Sequence, residues 1–163
     1  MYLKKITSNC TCIIITIAVV LFSGTDHANE GNCGSLYLKI IDVSKEHKTV
    51  FCSEISAKEY FVYKYTHSLQ KLPIEEKFRV RSDRTFELVD SKVLSFASAG
   101  LFPSPYDTLH NENRYIHVQT SRMFKSIQIR AAYYYNQYLI LNHNTFNISE
   151  KVDPGDLLEI SIY

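Results

Sequence analysis

His67, Ser68, Glu75, Glu76 and Asp90 are the side chains whose types and spacing come nearest to chemistry in this chain of 163 residues. His67 and Ser68 are adjacent, and neighbouring residues on a strand point to opposite faces, so they cannot form a nucleophile–base pair. No acidic residue is placed to orient the histidine, which argues against a hydrolase. Glu75 and Glu76 also face opposite ways on a regular strand and do not make a paired-carboxylate acid–base site. His67, Glu76 and Asp90 together offer nitrogen and oxygen ligands, but their spacing matches no recognised metal motif. No catalytic residue, metal or cofactor is therefore assigned, and the chain reads as a non-enzyme.

What remains is His67 with Glu76. The run Glu59–His67 alternates with Phe61, Tyr63, Tyr65 and His67 on one face, and Ile74–Arg81 places Ile74, Glu76, Phe78 and Val80 on one face with charged Glu75, Lys77, Arg79 and Arg81 on the other. Paired as a hairpin with apolar faces together, Tyr65 is expected to oppose Phe78 and His67 to oppose Glu76. Two readings stand side by side. The pair is a small polar site for a carboxylate, a metal or a partner's side chain, since histidine changes charge near neutral pH. Or it is a structural pair closing the hairpin end, since buried polar groups are normally satisfied.

These residues sit in a succession of short strands. Further strands are expected at Leu36–Val43, Thr49–Ile55, Thr85–Val89, Val93–Phe96, Arg114–Gln119, Ser126–Ala131, Gln137–Leu141 and Leu157–Tyr163. Short strands at regular spacing, parted by turn residues such as Asp153-Pro154-Gly155, predict an all-β fold, an antiparallel β-sandwich or partly open barrel. No repeat, low-complexity tract or sustained helical period appears over residues 34–163, which read as one domain. A Pro-rich loop from Gly100 to about Asn113 is either a functional loop or a surface insertion. Tyr133-Tyr134-Tyr135 is expected to be partly an exposed patch, with at least one ring turned into the core.

Residues 1–28 read as a leader. Lys4 and Lys5 precede the apolar run Cys12–Phe22, and small and polar residues follow. That is the layout of a signal peptide, too short for an ordinary spanning helix. Ser23, Gly24 and Ala28 each fit a cleavage position imperfectly, so a cleaved leader and an uncleaved anchor helix stay as alternatives, the anchor giving membrane contact. No lipoprotein-type site precedes Cys33. Export leaves Cys33 and Cys52 as the candidate disulfide. Simple hairpin register sets Cys52 across from about Lys39, so a bridge needs the N-terminal segment to fold back; two separate thiols are the other reading. With a net charge of +1 and scattered Lys and Arg, no basic stripe indicates nucleic acid. The 13% aromatic content, twelve Tyr and nine Phe with no Trp, suits pleated surfaces.

Tyr65-Thr66-His67-Ser68 followed by Pro73-Ile74-Glu75-Glu76 resembles the Y-T-H-S…P-V-E-E stretch of a family of small exported proteins, domain of unknown function 1850. Phe96–Pro103 resembles that family's S-F-G-A-G-L-P segment, except that Ser98 replaces its first glycine and Phe102 intervenes before Pro103. Tyr138–Leu141, Ile148-Ser149, Val152–Gly155 and Leu158-Glu159-Ile160 resemble its C-terminal end, so the likeness covers roughly residues 36–163. The resemblance implies a bacterial protein outside the cytoplasm, in the periplasm or on the outer face of the inner membrane, and so sets aside the sequon Asn147-Ile148-Ser149. It implies an accessory or binding module of TAXI-type TRAP transport of organic acids, with transporter membrane subunits or the solute-binding protein as partners. A stand-alone ligand- or metal-binding domain is the alternative. The residues singled out for ligand or partner are Tyr65, His67, Ser68, Glu76 and Gly100.

Overall fold

In the computed structural model, residues 35–95 and 104–163 are described. The leader, Cys33 and Gly100 lie outside them. The strands are β1 (Leu36–Asp42), β2 (Lys48–Ile55), β3 (Tyr60–Thr66), β4 (Pro73–Val80), β5 (Phe86–Val93), β6 (Thr108–Glu112), β7 (Tyr115–Phe124), β8 (Ser126–Arg130), β9 (Tyr138–Leu141), β10 (Asn144–Asn147) and β11 (Leu157–Ile162), with one 3₁₀ turn at Ile148–Glu150.

The strands form two antiparallel sheets. One has four strands in the order β2-β1-β11-β8, the other seven in the order β10-β9-β3-β4-β5-β7-β6. The architecture is all-β, two packed sheets and not a closed barrel. Alternation along the strands that face the other sheet builds the core. Leu36, Leu38 and Ile40 of β1 and Leu158, Ile160 and Ile162 of β11 share one apolar cluster with Phe61, Phe78, Val80, Phe86, Leu139 and Leu141 of the larger sheet. Phe61 and Phe78 oppose each other in register and stack with centroids 5.0 Å apart, and Phe86 meets both rings edge-on. Only Lys125 separates β7 from β8, so the chain turns a corner there from the larger sheet into the smaller, a common device in orthogonally packed sheets.

Four expectations are corrected. First, Thr85–Val89 and Val93–Phe96 are not two strands: β5 is one strand, Phe86–Val93, that crosses the expected break at Asp90–Lys92 and ends where the second was expected to begin, with Phe96 outside the described residues, and its register with β7 shifts between Leu88 and Asp90. The bulge inserts one residue and flips the alternation, so Leu88 and then Ser91 and Val93 are buried. Second, β6 occupies part of the expected loop. It is exposed throughout and pairs with β7, so apolar alternation could not announce it. Third, β10 was missed. Asn142 and His143 take φ of 49° and 65° and join β9 to β10, the two-residue reversal that favours Asn. Fourth, none of Tyr133, Tyr134 and Tyr135 is buried: Tyr133 and Tyr134 are 71% and 88% exposed, and Tyr135 is half-buried.

Candidate functional site

The hairpin that carries the motif residues closes earlier than simple alternation suggests. Tyr65 opposes Ile74, Tyr63 opposes Glu76, and Thr66 opposes Pro73. The expected pairing of Tyr65 with Phe78 and of His67 with Glu76 is therefore wrong by four residues. Lys71 takes φ of 58°, which lets the chain reverse tightly, and the His67 amide donates to the Leu72 carbonyl at 2.9 Å. Pro73 can open β4 because a first strand residue need not donate to the ladder. His67 thus belongs to the loop, where its Nδ1 accepts the Gln70 amide at 3.3 Å. A slip of four keeps every side chain on its expected face. Glu76 stays on the inner face, between Tyr63 on β3 and Ser91 on β5.

Glu75 points to the other face, where Lys64 Nζ lies 2.8 Å and Lys92 Nζ 4.0 Å from its carboxylate. Asp90 does not join His67 and Glu76. Its Oδ2 is in hydrogen-bond contact with His117 Nδ1 at 2.8 Å. Among the described residues no group of His, Cys, Asp and Glu is placed to hold a metal ion. Cys52 opposes Lys39, as simple register requires; it is exposed and bonded to no described cysteine.

Tyr65, His67, Ser68 and Glu76 line one cleft of about 720 Å³. Its walls are the ends of β3 and β4 from the larger sheet, β8 from the smaller, and the connection Ala131–Gln137. β8 is the last strand of the four-stranded sheet among the described residues, so the cleft opens where one layer ends and the other continues. The volume is that of an ordinary small-molecule site. Its surface is mostly aliphatic and aromatic, with Tyr63 and Tyr65 stacked at 4.8 Å and Tyr133, Tyr134 and Tyr135 opposite.

Desolvation dominates the electrostatics. Burial pushes the Glu76 carboxyl up to about 7, against a smaller opposing pull from Arg122. Burial also raises the Tyr63 and Tyr65 hydroxyls, and the charge of Glu76 adds to both. Glu76 makes no hydrogen bond or ion pair with any described residue. Lys71 stands at the rim with Nζ 5.8 Å from the Tyr135 ring centroid, and Arg130 donates to the Gly155 carbonyl at 3.1 Å.

Gln137 is the residue that sequence reasoning missed as part of the site. It is buried, and its Nε2 donates to the Tyr63 hydroxyl at 2.7 Å and to the Arg130 carbonyl at 3.0 Å, while its Oε1 accepts the Ala132 amide at 2.9 Å. It ties the tyrosine connection to the cleft wall. The one available signal was a glutamine at the head of an apolar strand.

Residues 61–148 match the model of a family described as Domain of unknown function (DUF1850). The chain belongs to the DUF1850 family. The match takes in β3 to β10, hence the cleft residues Tyr63–Gln137, and stops short of β1, β2 and β11, so it is narrower than the likeness read over residues 36–163. No curated protein and no solved structure matches the chain. The DUF1850 region therefore coincides with the motif hairpin, the tyrosine connection and Gln137.

Proposed function

We propose that this DUF1850 protein is a non-enzymatic ligand-binding module working outside the cytoplasm, and that the system it serves is TAXI-type TRAP transport. The carrying observation is the cleft: an aromatic-lined space of about 720 Å³ that gathers four of the five motif residues and surrounds a desolvated carboxylate. Concave, mostly apolar sites with few polar groups are where small ligands bind. A binding role without catalysis is supported by His67, whose ring nitrogen is engaged by the loop amide of Gln70, and by the opposed faces of Glu75 and Glu76. The transport link rests on the family resemblance, and the exported location on the leader pattern of residues 1–28. No described helix is long and apolar enough to cross a membrane.

Mild cross-linking in native membranes, with a tag on the protein and mass spectrometry of what is retained, tests the transport half. Transporter membrane subunits or the solute-binding protein are the expected partners. Their absence from a well-folded sample would leave the stand-alone ligand-binding domain, which the cleft supports by itself.

A further inference from the structure

The other described carboxylates in protected places each meet at least one donor, although Asp90 Oδ1 is itself left without a partner. Glu87, buried, accepts Arg79 and Ser121 at 2.7 Å each. Asp42, buried, accepts the Ser44 amide at 3.0 Å. Asp107 accepts Arg122 at 3.1 Å, and Asp90 pairs with His117 at 2.8 Å. Glu76 stands on the inner face of a sheet, open to a cleft, with no hydrogen bond or ion pair to any described residue. Desolvating a carboxylate without a partner is unfavourable, and a cation that enters removes that penalty. The cations already in the lining have other contacts: Lys71 lies over Tyr135 and Arg130 bonds the Gly155 carbonyl. Tyr63, Tyr65 and Tyr133 to Tyr135 line the same cleft, among aliphatic and small polar side chains. Aromatic rings beside a carboxylate form a setting that attracts ammonium and quaternary ammonium groups through their negative faces.

We infer that the cleft takes an organic cation, an ammonium or quaternary ammonium group on a short apolar stem, with the charged head against Glu76 and the stem along Tyr63, Tyr65 and Tyr135. This rests on the reading of the cleft as a binding site and names its ligand class. Charge complementarity carries it: a half-buried carboxylate with no paired donor, tyrosine rings in the same cleft, and Lys71 and Arg130 of the lining in contact with the Tyr135 ring and the Gly155 carbonyl. The charged and titratable groups that act on Glu76 or share its cleft are Tyr63 and Tyr65 on β3, Arg122 on β7, and, in the same lining, His67, Lys71, Arg130 and Tyr133 to Tyr135. Because the carboxyl is held up to about 7 by burial, the site is half-armed near neutral pH, and affinity for a permanent cation scales with the ionised fraction.

The test is calorimetric titration of the full chain with three ligands of one stem length: hexyltrimethylammonium, hexanoate and hexanol. The quaternary cation is expected to bind at least about tenfold more tightly than hexanol. Its affinity is expected to rise roughly tenfold from about pH 6 to pH 8, following the ionised fraction of Glu76. Glu76→Gln, which keeps the shape, should abolish both the preference and the pH dependence. Lys71→Ala, an exposed change in the loop, should tighten the cation a few-fold by removing a like charge. Tighter binding of hexanoate, or cation binding unaltered in Glu76→Gln, overturns the ligand class and leaves the cleft as a site. Failure of all three ligands to bind overturns the cleft reading itself.

Discussion

Gln137 donates to the Tyr63 hydroxyl at 2.7 Å across 74 positions of sequence, and this bond joins the tyrosine connection to the floor of the cleft. Both side chains are buried. Replacing Gln137 by Leu strands the Ala132 amide, the Arg130 carbonyl and the Tyr63 hydroxyl at once. An orphaned buried polar group costs about 1–3 kcal/mol and the two part-buried bonds to Ala132 and Arg130 count for about 0.5 kcal/mol each, so the variant is expected to lose roughly 2–4 kcal/mol in urea unfolding. Tyr63→Phe removes one bond and should lose about 1 kcal/mol. Equal losses for the two would contradict the hub role of Gln137.

Glu76 gives stability a pH signature. Its folded carboxyl is raised from 4.5 to about 7, so the folded state holds a proton that the unfolded state releases between those values. Its contribution is complete below about pH 4.5, falls as pH rises to about 7, and is flat above. Glu76→Gln lacks this loss. Unfolding curves should show the variant gaining on the wild type across that window, reaching about 1–2 kcal/mol at pH 8 after allowance for partial exposure. A constant difference from pH 4 to pH 8 would contradict the desolvated carboxyl.

His67 and Glu76 should act independently. They share a cleft but not a bond, since register places Tyr63 opposite Glu76. His67→Ala is expected to cost about 0.5–1 kcal/mol, for the loop contact with the Gln70 amide. The double variant with Glu76→Gln should be additive within about 0.5 kcal/mol. A coupling above about 1 kcal/mol would restore the direct pair.

Gly155 lies against Tyr133, one of the cleft-lining rings. It takes φ of 91°, and a Cβ there would lie 2.5 Å from the Tyr133 hydroxyl. Tyr133 is exposed enough to swing away, but the backbone conformation remains strained for alanine. Gly155→Ala is expected to cost about 1–2 kcal/mol and to shift the Tyr133 ring signals in a proton spectrum. An unshifted ring would place Tyr133 elsewhere.

Much of the fold was legible because the strands alternate. β1, β2, β3, β4, β8 and β11 lie where apolar periodicity places them, and Cys52 sits opposite Lys39 as simple counting requires. Alternation fails where a bulge resets it, as between Leu88 and Asp90, and where a strand buries nothing, as in β6. The motif residues Tyr65, His67, Ser68 and Glu76 could be picked out by type, and the structure brings them to one cleft. Their partners could not. The hairpin register depended on a positive φ at Lys71, which nothing in a lysine announces. The opposite wall comes from β8 and the tyrosine connection, more than 50 residues later in the chain.

The central claim is that the space between Tyr65, Glu76 and Gln137 is a binding site. Chemical-shift mapping of the full chain, with backbone and tyrosine-ring labels, against a panel of small cations, anions and neutral apolar compounds tests it most directly. The account predicts saturable shifts gathered at Tyr65, Glu76, Ala132 and Gln137 for at least one member, weakened in Glu76→Gln. Shifts confined to residues outside the cleft, or none across the panel, would contradict it.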